Sequence, residues 1–409
     1  MTSNILLSSV IKSSGTIYTI RLKGVIQMKH FTEEEKLKIL SDVIAIKSVN
    51  ENEIELANYL QSLFSEYEIA SKIVPVTDTR VNLVAEIGSG FPVIGVSGHM
   101  DVVSPGDESE WTSDPFIMTE RDGKLYGRGT NDMKAGLINL ALVMIELKEN
   151  DELQTGTVRF MATTGEEVGG AGSKKLYDEG YMDDVDYLWV AEPSHDTIIY
   201  SHKGSLNLRV TSLGEAAHSS MPDQGYNAIN PLIEYLLELD RILNGLKQQN
   251  DVLGKLVMST TIFNAGNQVN SVPEKAVAEI NVRTIPEMDN DEVIEFFHTT
   301  ADVYNAKGAN IAVQVTMSLP SVFTSGKSKM IDLSKELGKK HLGLEISVDS
   351  SPGVTDASNL LRDKDISFPF MMFGPGETKM AHKTDEYVYK KYYFAFFDIY
   401  KELILELTK

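Results

Sequence analysis

Ser97-Gly98-His99-Met100-Asp101 follows directly on the apolar run Phe91 to Val96, which is itself preceded by the turn residues Gly88-Ser89-Gly90. A short β-rich run bounded by a turn signal reads as a buried strand. In an open α/β sheet, chemistry gathers where such strands end. At period two, His99 and Asp101 point the same way. A carboxylate beside a histidine accepts its second ring N–H, sets the tautomer and frees the other nitrogen for a metal. An isolated H-x-D pair is more often structural; this one gains weight because four more clusters of ligand-type side chains follow it.

Leu125 to Gly136 reads L-Y-G-R-G-T-N-D-M-K-A-G, with Gly127 and Gly129 ahead of a helix expected over Met133 to Leu147. Asp132 is there either as the helix N-cap, worth about 1 kcal/mol, or as a bridging carboxylate. The spacing fits neither the phosphate loop nor the dinucleotide fingerprint, which counts against a nucleotide-binding enzyme. Thr163 to Gly170 reads T-T-G-E-E-V-G-G after a strand expected over Thr157 to Thr163. Adjacent glutamates at the end of a central strand cannot both be solvated cheaply: one needs a cation, and the other suits a proton shuttle with a raised pKa. Trp189 to Ser194, W-V-A-E-P-S, ends another apolar strand on Glu192. Phe373 to Glu386, F-G-P-G-E-T-K-M-A-H-K-T-D-E, places His382 after a strand expected over Pro369 to Phe373. Acids and histidines at successive strand ends point to a metal site. One bridging carboxylate, flanked on each side by a His and an acid, makes a dinuclear site with ions ~3.5–4 Å apart.

Composition bounds the chemistry. The 409 residues contain no cysteine, so a metal must be held by His, Asp and Glu, and neither disulfides nor thiolates are available. A formal net charge of −21 disfavours nucleic acid and anionic membranes as partners. No apolar run reaches the roughly 18 residues that read as a membrane span. The expectation is a cytoplasmic protein. Strands alternate with helices up to about Lys203 and again from about Leu319, predicting a doubly wound, largely parallel α/β sheet. Between them lie the expected strands Ser205 to Val210, Thr260 to Phe263, Ala276 to Val282 and Ile311 to Met317. Helices are expected over Asn227 to Leu243 and Asp291 to Val303, making an inserted α+β domain. The predicted organisation is a catalytic domain of residues 28–203 and 319–409 with a lid or dimerisation domain of residues 204–318. The inserted domain is expected to pair two copies of the chain through an edge strand near Ser205 to Val210 or through its first helix. Thr32 and Glu35 form a capping box for the first strong helix. Residues 1–27 read as an over-extended start outside the fold, since Lys23-Gly24-Val25 can be encoded as AAA-GGA-GTG, a ribosome-binding-like stretch ahead of Met28.

From Met28 to Lys409 the motifs S-G-H-M-D, Y-G-R-G-T-N-D-M-K-A-G, T-G-E-E-V-G-G, E-P-S and A-H-K-T-D-E stand in the order of one family. The chain resembles the dinuclear zinc acetylornithine deacetylases, succinyl-diaminopimelate desuccinylases, glutamate carboxypeptidases and aminoacylases. The resemblance implies two divalent ions, zinc first, with cobalt or manganese able to substitute. It implies His99 and Glu192 on one ion, Glu167 and His382 on the other, and Asp132 bridging. It gives Asp101 the task of orienting His99, Glu166 that of general base, and the Asp132–Met133 bond a cis geometry. In G-E-A-A-H-S-S-M-P it makes His218 an oxyanion donor to the other subunit of a homodimer; the residues alone favour a surface histidine. Asn270, Arg283, Gly353 and Thr355 would meet the substrate, with Arg283 on a carboxylate. The implied activity is removal of an N-acyl group from a small-molecule amino acid, with N-succinyl-LL-2,6-diaminopimelate of lysine biosynthesis expected first. Acetylornithine deacetylase, aminoacylase and peptidase are the alternatives, and a non-catalytic metal-binding relative is the alternative of another class. His202-Lys203-Gly204-Ser205 stands where desuccinylases usually carry R-R-G-S, and Gly353-Val354-Thr355-Asp356-Ala357 where they carry G-T-S-D-G.

Overall fold

The computed structural model describes residues 28–409; the expected over-extended start, residues 1–27, lies outside them. The chain enters through helix Glu33–Ala45, whose N-cap Thr32 accepts from the Glu35 amide while the Glu35 side chain accepts from Thr32, the capping box legible in the sequence.

Among the described residues a nine-stranded sheet organises the larger core. Its centre is four parallel strands in the order Gly156–Thr163, Val93–His99, Tyr187–Pro193 and Phe370–Gly374. The flanks differ from the largely parallel expectation. Ser71–Pro75 and Val81–Ser89 add on antiparallel at one side. Thr197–His202 and Val322–Phe323 do so at the other, with Ser347–Ser351 running parallel beside Thr197–His202. The reason is connection length: residues 76–80 are enough for a reversal, whereas a parallel crossover needs a dozen or more.

Helix Lys134–Glu149 lies on the central strands and is buried on nearly every side, as its uniformly apolar sequence requires. Helix Lys390–Leu407, for which the sequence reading set no expectation, covers it. Tyr393, Phe396, Tyr400, Leu403 and Leu407 recur at helical spacing along this helix and are buried. Trp189 stacks edge-on against Tyr400 at 4.2 Å, and both donate to the Phe373 carbonyl, at 2.9 and 3.1 Å. The C-terminal helix is thereby locked to the two strands that lead to Glu192 and His382. A small sheet of Thr119–Arg121, Lys124–Tyr126 and Tyr387–Tyr389 ties the segment before Asp132 to the segment after His382.

The second sheet begins at Ser205 and ends at Leu319, in the order Val257–Ala265, Lys275–Arg283, Ser205–Leu213, Ile311–Leu319, all antiparallel. Helices Ile229–Gly245 and Asn290–Asn305 pack on it around a separate core that includes Leu208, Tyr235, Ile280 and Phe297. Ser205–Leu213 is an interior strand, so the expectation that it forms an exposed edge is corrected. Alternating burial shows that one face of a strand is covered; it does not show which strands lie beside it. The edges are Val257–Ala265 and Ile311–Leu319. No helix among the described residues is long and apolar enough to cross a membrane.

Gly136 is where helix Lys134–Glu149 touches the strand carrying Glu192. A Cβ there would sit 2.3 Å from the Ala191 carbonyl oxygen. Gly136→Ala should cost about 1–3 kcal/mol by overpacking, read as a lower urea midpoint at unchanged m-value. An unchanged midpoint would mean the contact is looser than described.

Candidate metal centre and its cavity

The candidate ligands converge because the four parallel strands all deliver their C-terminal ends to one rim. His99 is the last residue of its strand, Glu192 the second-last of its own, and Glu166–Glu167 and His382 lie on the loops that follow the other two. Asp132 precedes the buried helix. It does not cap it: Met133 occupies the cap position, and no side-chain cap bond forms. The Asp132–Met133 bond is cis.

Asp132 places one oxygen toward each of two histidines. Oδ1 is 3.0 Å from His99 Nε2, and Oδ2 is 3.7 Å from His382 Nε2. Glu192 Oε1 lies 3.9 Å from His99 Nε2, and Glu167 Oε2 lies 2.9 Å from His382 Nε2. Donor atoms of His99, Asp132 and Glu167 all fall within 4.8 Å of one another. Glu167 Oε1 is buried without a hydrogen-bond partner. Nitrogen and carboxylate donors, an acid facing two histidines, and an orphaned carboxylate oxygen fit divalent cations.

Asp101 works differently from the expectation. The ring Nδ1 of His99 meets the Asp101 backbone carbonyl at 2.8 Å, while the Asp101 carboxylate stays 3.8 Å away. The strand ends at His99, so the period-two argument no longer applies at Asp101. Its carboxylate instead accepts from the successive amides of Gly165, Glu166 and Glu167 at 2.9, 3.3 and 3.1 Å. Gly165, Gly169 and Gly170 have φ of 73°, 111° and 66°, which lets the loop curl its amides down onto Asp101. Glu166 and Glu167 then line the cavity above.

Burial pushes both Glu166 and Glu192 well above the usual carboxylate range; neighbouring acids add to this and His99 opposes it. Burial works against charge on His99, but its bond to Asp132 and the nearby Glu192 and Asp101 outweigh it and raise its pKa. Asp356 carried no expectation from the sequence. It is buried beneath the site, accepts from Thr163 Oγ1 at 2.5 Å and is pushed up to about 6 by burial.

Of the candidate ligands, Asp132, Glu167, Glu192 and His382 line a cavity of about 650 Å³ between the two sheets. Arg283, Asn281 and Asn207 reach it from the second sheet, and Gly353 and Thr355 from the loop that follows Ser347–Ser351 of the first. Arg283 Nη1 is buried with no partner. His202, missed in the sequence, is fully buried, bonds the Lys203 carbonyl at 2.9 Å and meets Thr355 Oγ1 at 3.4 Å. Two expected residues stand apart. His218 is exposed and bonds Ser220 Oγ at 2.7 Å, and neither it nor Asn270 lines this cavity in its own chain.

The sequence profile of the family described as peptidase family M20/M25/M40 matches residues 95–406. A probable succinyl-diaminopimelate desuccinylase of Staphylococcus epidermidis is 41% identical over 401 residues, covering 92% of this chain and 98% of the relative. An acetylornithine deacetylase of Proteus mirabilis is 29% identical over 362 residues, covering 87% and 88%. Among solved structures, an M20 family metallo-carboxypeptidase of Sulfolobus solfataricus superimposes with a TM-score of 0.78 at 19% identity, covering 91% and 98%. A dinuclear metal binding peptidase of the M20 family from Bacillus subtilis does so at 0.66 and 20%, covering 92% and 98%. These two structures share the fold.

Burial pushes the His202 imidazole down to about 4; its bond to the Lys203 carbonyl opposes this and the Arg283 guanidinium adds to it. An unfolded histidine titrates near ~6.5. Between these values the unfolded chain binds a proton that the native chain does not, so stability is lost as pH falls from ~6.5 toward 4, at about 1.4 kcal/mol per unit. In chelator-treated protein, His202→Gln should flatten the fall in urea-derived stability between pH 6.5 and 4.5. Parallel curves for the two proteins would contradict it.

Proposed function

The chain belongs to peptidase family M20/M25/M40, hydrolases of amide bonds, and from that premise we propose that it removes the succinyl group from N-succinyl-LL-2,6-diaminopimelate. The observation that carries this is the pairing, in one cavity, of the acid–histidine cluster with the half-buried Arg283, whose Nη1 is buried without a partner. The first can hold two cations and the second a substrate carboxylate. Identity of 41% with relatives named for this activity supports the choice of substrate.

His99 and Glu192 would hold one ion and Glu167 and His382 the other, with Asp132 shared between them; zinc is the proposed metal, with cobalt or manganese able to replace it. When bound, the pair supplies Lewis acidity, making a water acidic near neutral pH and polarising the amide carbonyl. Glu166 takes the proton from the attacking water and hands it to the departing amine nitrogen. The burial and neighbouring acids that raise its pKa suit it to hold that proton between the two transfers. Asp101 keeps Glu166 and Glu167 in place through their own amides. Arg283 anchors a substrate carboxylate, with Gly353 and Thr355 as further contacts; Asn270, whose carbonyl accepts from Ser219 beside His218, reaches substrate only from the other chain of a dimer. The domains divide at residues 203/204 and 318/319, and closing them excludes water from the cavity. The working form is a homodimer in which His218 of one chain completes the oxyanion site of the other. Its exposure outside the lining of its own chain's cavity supports this assignment. So do the exposed apolar side chains Ile233 and Leu237 on one helix and Val257, Ile262 and Phe263 on an edge strand.

Zinc-loaded protein should show its highest kcat/KM on N-succinyl-diaminopimelate among that substrate, N-acetylornithine, N-acyl amino acids and dipeptides. A tenfold preference for another substrate would overturn the assignment. Glu166→Gln should lose at least ~10²–10⁴ in rate while atomic absorption still finds two ions per chain. Loss of both ions would exchange the roles of Glu166 and Glu167.

His218→Ala should lose about 10²–10³ in rate, the scale of one oxyanion donor, with metal content unchanged. Mixed with inactive Glu166→Ala it should recover activity, because a hybrid dimer has one intact site. Verified hybrids without recovery would return His218 to the role of a surface residue.

A further inference from the structure

Glu386 lies four positions beyond His382 and is completely buried. Its Oε1 accepts three backbone amides of the Asp132 loop: Gly129 at 3.0 Å, Asn131 at 2.8 Å and Asp132 itself at 2.9 Å. Oε2 pairs with Arg128 Nη1 at 2.5 Å, and the Glu386 carbonyl accepts from the Gly127 amide at 3.0 Å. One residue from the C-terminal part of the chain thus gathers the backbone of a loop more than 250 positions earlier.

The segment around His382 is tied at both ends by the same neighbourhood. Asn131 exchanges hydrogen bonds with the main chain of Glu377, at 3.1 and 2.7 Å. Asp385 accepts from the amide and hydroxyl of Thr112, at 2.8 and 2.6 Å. Between these anchors His382 stands at φ 65°, 2.9 Å from Glu167. Buried amides and a buried guanidinium without an acceptor are costly, so these groups leave the loop little freedom while Glu386 is present.

We infer that Glu386 is a positioning residue that holds Asp132 and His382 in register, so that the two oxygens of Asp132 face two different histidines. It touches neither ligand side chain and acts through backbone amides. This rests on the two-ion reading of the site and is independent of the substrate. Partners of metal ligands of this kind are typically worth 10–100-fold in metal affinity.

Cobalt(II) titration of the metal-free full chain, followed by visible absorption, tests it in the absence of substrate. Wild type should take up two equivalents. Glu386→Asp keeps the charge but withdraws the oxygen from the amides, and should weaken the second equivalent 10–100-fold in a protein shown by circular dichroism to be folded. Glu386→Gln keeps an oxygen for the amides and loses the Arg128 pair. It should melt at a lower temperature and still bind both equivalents within threefold, a separation that a merely structural role would not produce. Wild-type affinity in folded Glu386→Asp overturns the inference, as does a more than tenfold loss in Glu386→Gln, which also carries the test if the Asp variant does not fold. A single equivalent bound by wild type would instead remove the two-ion reading beneath it.

Discussion

Asp132 has to satisfy two histidines at once, and much of the architecture follows from that demand. Its oxygens face His99 from the centre of the sheet and His382 from a loop some 250 residues later. Glu166, Glu167 and Glu192 crowd the same rim. Burial first, and the neighbouring acids after it, push Glu166 and Glu192 well above the usual carboxylate range, and cations among such groups would relieve both. The site is therefore built around cations, and the protein around it must hold mutually repelling groups in place.

It does so twice with the same device. Asp101 collects the amides of Gly165, Glu166 and Glu167. Glu386 collects those of Gly129, Asn131 and Asp132. In each case a buried carboxylate outside the proposed ligand set binds the backbone of a loop that carries proposed ligands. Charge-assisted bonds to several amides are stronger than neutral ones, and they restrain the backbone rather than the side chain. Glycine at positive φ makes the first of these nests sterically free.

The two sheets contribute different chemistry to one cavity. The mixed sheet supplies acids and histidines; the antiparallel sheet supplies Arg283 and the amides of Asn207 and Asn281, which bond each other at 2.6 Å. Separate hydrophobic cores allow the sheets to be stable units, so a cavity between them can change shape without either core being repacked.

The sequence by itself determined the ligand-type residues, because acids and histidines at the ends of apolar runs have few bland explanations when they recur in order. It also determined the capped first helix, the buried helix after Asp132 and the presence of a second α+β unit, all through local periodicity and composition. Strand neighbours were not legible. Alternation in Ser205–Leu213 reports a covered face, while its interior place depends on pairing with strands some 70 and 100 residues away. The antiparallel flanks depend likewise on connection lengths rather than on strand composition. Asp101 was read with the right partner and the wrong group: its backbone carbonyl, not its carboxylate, bonds His99, since period two fails once a strand has ended. Glu386, His202 and Asp356 lie inside stretches the sequence singled out, yet nothing local assigned any of them a role. Each acquires its environment from segments distant in sequence, and a buried charge or imidazole is defined by what surrounds it. Residue type was therefore decided locally, whereas which groups are dry, paired or restrained was decided only when the folded chain brought their partners together.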